Sequence, residues 1–77
     1  MKADEMFKKL GYTKTKDTES SIVYETCYTK KITFFNLLKT ATANILYGKK
    51  RIAVGLDVYE IACIYQKMQE MGWENEQ

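Results

Sequence analysis

Apolar positions change their period twice along this chain. Ala3, Met6, Phe7 and Leu10 recur three and four residues apart, which places them on one face of a short helix. From Ser21 the period falls to two, and β-branched and aromatic residues dominate, as strands require. Helical spacing returns at Val58 and lasts to Met71. Ile61, Ile64, Met68 and Met71 form one stripe and Val58, Ala62 and Tyr65 a neighbouring one, with Gln66, Lys67, Gln69 and Glu70 marking the wet side.

Both helices carry the same stop signal. "MFKKLGY" and "KMQEMGW" each end on a large apolar residue, a glycine and an aromatic. Gly11 and Gly72 are read as left-handed helix ends, with Tyr12 folding back towards Phe7 and Trp73 towards Met68. Lys8 and Lys9 in the last turn suit the negative end of the helix dipole. The second helix also has a start signal. Asp57 followed three residues later by Glu60 predicts a capping box, and Leu56 with Ile61 a hydrophobic staple.

Between the helices, "SSIVYETCY" predicts a strand from about Ser21 to Tyr28. Ile22, Tyr24, Thr26 and Tyr28 then face one way and Val23, Glu25 and Cys27 the other. "TKK" reads as a turn and "ITFFNLLK" as the antiparallel partner. The chain turns again near Lys39 and Thr40, and "ATANILYG" reads as a third strand. "IAVG" is a short fourth strand or part of a loop, "YTKTK" an edge strand, and "KDTES" a polar turn; residues 74–77 are expected to fray. The expected fold is one α+β domain spanning 1–77. It has a short N-terminal helix, an antiparallel sheet of three to five strands, and a C-terminal helix packed on one face.

Composition narrows the chemistry. A chain of 77 residues buries only about 60% of its unfolded surface, so a partner subunit, a metal or disulfides often support such domains. Ten aromatic residues point to a packed core rather than disorder. There is no histidine, so the commonest general base and metal ligand is missing. Cys27 and Cys63 stand alone, fit no zinc or redox motif, and are expected to be buried free thiols. No apolar stretch approaches the roughly 20 residues of a membrane span, and the first residues do not form a signal peptide. A cytoplasmic protein without membrane contact is expected.

Three function classes remain to be weighed. Nothing suggests catalysis: neither thiol has an activating base, the carboxylates fall mostly at helix starts and turns, and Gly48 and Gly55 lack phosphate-loop spacing. Catalytic, cofactor-binding and metal-binding residues are therefore assigned to none. Nucleic acid is the second class. Lys30 and Lys31 in one turn, and Lys49, Lys50 and Arg51 in another, lie at the same end of the sketched sheet beside Tyr28 and Tyr47. A net charge of +2 is far below that of most nonspecific nucleic-acid binders, and lysines in turns also serve solubility. Protein contact is the third and favoured class. The strands carry apolar side chains on both faces while two helices cover only one. Phe34, Phe35, Leu37 and Tyr24 are therefore the expected interface, and a homodimer joined through the sheet is the expected assembly.

Four stretches, "MFKKLGYTK", "IVYE", "KKITFF" and "YEIACIYQKMQEMGW", resemble small uncharacterised proteins encoded by phages and prophages of Gram-positive bacteria. The likeness covers about half the chain. It implies an intracellular accessory protein that acts by binding, with no catalytic residues to carry over. The stretch "LLKTATANILYGKKR" departs from the family's acidic middle segment, being basic and apolar.

Overall fold

The structure is a computed structural model that describes residues 1–73; the tail expected to fray lies outside the described residues. Helix α1 (Ala3–Lys9) leads into strands β1 (Thr13–Asp17), β2 (Ser21–Glu25), β3 (Lys30–Phe35), β4 (Thr40–Tyr47) and β5 (Lys50–Ala53). Helix α2 (Val58–Glu70) follows. The strands form one antiparallel meander in the order β1-β2-β3-β4-β5, and both helices lie on one of its faces. The α+β fold expected from the pattern is the one observed.

The helix endings follow from the glycines. Gly11 and Gly72 have φ of +90° and +73°. The N–H of Tyr12 donates to the carbonyl of Phe7, and that of Trp73 to Met68, each one residue past the glycine. Asp57 and Glu60 form the reciprocal capping box at the start of α2. α1 has no such device of its own. Lys2 precedes it without a side-chain cap, and the N–H of Ala3 donates instead to a Glu70 carboxylate oxygen of α2, 2.7 Å away.

Strand ends move inward from the sequence expectation. The first long strand stops at Glu25, and Thr26–Thr29 form the turn; the second stops at Phe35, and Asn36–Lys39 form the next. Thr29 and Lys39, the last residues of the two loops, have φ of +66° and +52°. Gly48 and Lys49 make a two-residue hairpin between β4 and β5, with Gly48 at φ +62° where a tight hairpin takes glycine.

The register decides which face each strand residue joins. Ile22, Phe34 and Ala41 lie side by side on the helix face, as do Tyr24, Ile32 and Ala43. Phe7 of α1 stacks on Tyr24 with ring centroids 4.0 Å apart and meets Tyr12 and Phe34 edge-on. Ala3, Cys63 and these residues form the buried core, with Met6, Ile64, Met68, Met71 and Trp73 packed around it. The opposite face alternates Thr33, Thr42, Lys31, Asn44 and Arg51 with Val23 and Phe35.

Candidate interaction surface

Glu60 sets how α2 sits on the sheet. Its carboxylate caps its own helix, accepts from the Tyr12 hydroxyl, and takes an ion pair from the Lys30 Nζ at 2.7 Å. Burial alone would raise its pKa, but the bonds from Lys30, Tyr12 and the Asp57 backbone more than offset this and hold the carboxyl below its ordinary value. The Tyr12 phenol is pushed up by burial and by the carboxylate it donates to. An acidic side chain thus reaches down to the sheet from the first turn of α2.

The helix is turned accordingly. Lys67 approaches Asp4 of α1 and the Tyr24 ring, and Glu70 meets Ala3, so the flank holding Cys63, Lys67 and Glu70 faces α1. At 100° per residue, Val58, Ile61 and Tyr65 fall on the opposite flank. Their place in the apolar stripes, away from the wet side, predicts that they pack towards the sheet. Instead they are 71%, 52% and 62% exposed, and Ala62 beside them is exposed too. Lys67, expected on the wet side, is largely covered. Leu10, also assigned to the apolar layer, is partly exposed.

This bare flank continues onto bare sheet. α1 sits over β1 and β2, and α2 reaches β3 through Lys30 and through Phe34, which meets Trp73. Of the helix-side residues of β4 and β5, Ala43 packs against the edge of the core and the others lie beyond it. Ala41 and Ile52 are exposed and Ala43 and Ile45 half-buried, with Tyr47 and Lys50 at the hairpin end. Lys30, which Glu60 holds, pairs with Ile45, and Ile45 with Ile52, so the register carries β4 and β5 outward from α2 as the floor of a step.

The four residues expected at an interface scatter. Tyr24 and Phe34 are buried under the helices and present nothing to a partner; only Phe35 lies on the open sheet face. Leu37 projects from the β3–β4 turn, because the strand ends before it. The sheet face expected to join a homodimer carries Val23, Phe35 and Leu46 among polar residues. Polar Thr33, Thr42 and Asn44 and charged Lys31 and Arg51 interrupt the face that was to be apolar.

The basic residues expected in two turns do meet at one end of the sheet, but Lys30 and Lys31 open β3 and Lys50 and Arg51 belong to β5, which leaves Lys49 alone in a turn. Arg51 donates from Nη1 to the Thr29 carbonyl at 2.7 Å. Tyr28 and Tyr47 stand exposed beside them. Two of the five candidate cations are engaged within the fold. Lys30 binds Glu60 and the Gly55 carbonyl, and Arg51 binds Thr29 and Asn44 and lies 3.9 Å from Glu25. Lys31, Lys49 and Lys50 make no ion pair among the described residues.

Other polar groups are similarly committed. Asp4 accepts from the Tyr24 hydroxyl and from Lys14, which holds its carboxyl below the ordinary value. Burial pushes the Cys63 thiol up, towards the unreactive form. Cys27, expected to be buried, is exposed because its residue belongs to a turn. Among the described residues, no three His, Cys, Asp or Glu side chains gather as metal ligands would. Among the described residues, no helix is long and apolar enough to cross a membrane.

Comparison with known proteins yields no family model, no curated protein and no solved structure that matches this chain. The α2 flank was missed in the sequence because its period matches a core stripe. The signal available was Glu60, whose place in the capping box also aims it at the sheet.

Proposed function

We propose that the protein is a non-enzymatic accessory protein, of the phage or prophage kind its sequence resembles, that works by docking a protein on the step between α2 and β4–β5. The observation that carries this reading is the exposed run Val58, Ile61, Ala62 and Tyr65, at helical spacing, on a helix tied through Glu60 to Lys30, from which the register leads by way of Ile45 to exposed Ile52. A contiguous apolar surface on a small domain marks an interaction site, whereas scattered apolar residues do not. The favoured interface thus moves from Tyr24, Phe34, Phe35 and Leu37 to the outer flank of α2.

Paired captures from host extract, with wild-type and Ile61→Asp protein, test the reading. A partner held by the wild type and lost from the variant is expected, with the circular dichroism of both unchanged. Equal retention by both proteins would overturn it. Sedimentation of the purified protein tests the homodimer; a single 9 kDa species is expected. Binding of nucleic acid by the basic turns is the competing reading. It requires retention on a nucleic-acid column that falls steeply with salt.

A further inference from the structure

The step has a shape and a charge, and together they describe its occupant. We infer that it receives an amphipathic helix from a partner protein, with acidic residues flanking the helix's apolar stripe. This inference rests on the docking reading above and adds the chemistry of the partner.

The shape suits a helix. Two strands span about 10 Å, the diameter of one α-helix. The existing helices cover β1 to β3, so a third helix over β4 and β5 would complete the layer. Ala41 and Ala43 keep the floor low, and Ile45 and Ile52 face each other across it. Val58, Ile61, Ala62 and Tyr65 offer the ridge against which a neighbouring helix packs. β5 pairs with Asn44–Tyr47, so the two-strand part of the floor runs about 13 Å, the length of roughly nine helical residues, and Ala41 and Ala43 prolong it on β4 alone.

The charge selects the partner. From Thr26 to Leu56 the chain has six lysines and arginines and no acidic residue, whereas the rest has six basic and ten acidic residues. Lys30 is neutralised by Glu60, and Arg51 lies near Glu25. Lys39, Lys49 and Lys50 make no ion pair among the described residues. Lys50 shares the floor's face with Ile52, Lys49 forms the hairpin tip, and Lys39 stands in the turn at the other end of β4. Cations therefore bracket the floor at both ends. A second copy seated there by a twofold axis would bring two such regions together, which like charge disfavours. An acid-flanked helix meets complementary charge.

A displayed library of helical peptides of about 16 residues tests this. Leucine and isoleucine are fixed on one stripe, and the flanking positions are drawn from Glu, Lys, Gln and Ser. The library is sorted against the whole protein at low salt. Glu is expected to be enriched over Lys at the flanks. Selected peptides should lose about tenfold or more in affinity for Ile52→Asp or Ile61→Asp protein. They should also weaken with added salt and with Lys49→Glu/Lys50→Glu protein. Binders without acidic preference that still respond to Ile61→Asp would overturn the acidic partner and leave the docking surface standing. Absence of any binder sensitive to Ile61→Asp would overturn both. A dimer split by Ile61→Asp would make a second copy the occupant. Oligonucleotide binding lost with Lys49→Glu/Lys50→Glu and kept with Ile61→Asp would make it nucleic acid.

Discussion

The two halves of the sheet use similar residues for different ends. Beneath the helices, β2 and β3 place Ile22, Tyr24, Ile32 and Phe34 into a core that leaves each of them buried. One strand further, β4 and β5 continue the same face with Ala41, Ala43, Ile45 and Ile52, and nothing among the described residues covers it completely. The first half is held by large rings meeting at defined angles. The second is held by backbone pairing and small side chains. Stability and availability for binding are thus divided between neighbouring strands of one sheet, since a face buried in the core has no apolar surface left to offer a partner.

Truncations on the two sides should differ most. Phe7→Ala removes the ring that contacts Tyr12, Tyr24 and Phe34, and a loss of about 3–5 kcal/mol is expected. Ile52→Ala should change stability by no more than about 0.5 kcal/mol. Urea denaturation of both variants checks this; equal losses would erase the distinction.

The polar seam comes next. Glu60→Ala strands Lys30 and the Tyr12 hydroxyl and should cost about 3 kcal/mol. The pH dependence has a fixed sign. The folded carboxyls of Glu60 and Asp4 titrate below their ordinary values. Their contribution is complete above the unfolded values, near 4, and is lost as pH falls through the depressed ones. Stability measured from pH 6 down to pH 3 should therefore fall, and less steeply in Glu60→Gln. Parallel profiles would remove Glu60 from the account.

The smallest effects lie in the backbone. A methyl group added at Gly11 meets open space, so Gly11→Ala tests φ alone and should cost about 1 kcal/mol. Thr29→Gly should stabilise by a similar amount, because a β-branched residue there holds φ +66°. Thermal melts of the pair resolve the two directions.

Local signals were legible before any coordinates. Both glycine stops and the capping box follow from residues within five positions of one another, whereas the order of the five strands did not show in the sequence. What the sequence hid was non-local. The stripe Val58, Ile61 and Tyr65 has the spacing of a buried face, and contacts far apart in the chain, Lys30 donating to Glu60 and α1 meeting Lys67 and Glu70, show that the helix is turned from it. Likewise, Phe34 and Phe35 are adjacent and alike, and pairing with β2 and β4 decides which is buried. Leu37 and Leu38 extend a strand pattern past the point where Lys39 closes the turn.

The meander also has a consequence in time. Every strand pairs with its neighbours in sequence, so each hairpin closes a short loop. β5 is attached along one edge only, to β4, which in turn is joined to the rest through β3. The terminal hairpin can therefore open without disturbing the aromatic core. Its amides should exchange with solvent by a route of lower free energy than those of β2 and β3. Any occupant of the step would slow that opening, so partner binding would register as protection in strands that gain no new backbone hydrogen bonds.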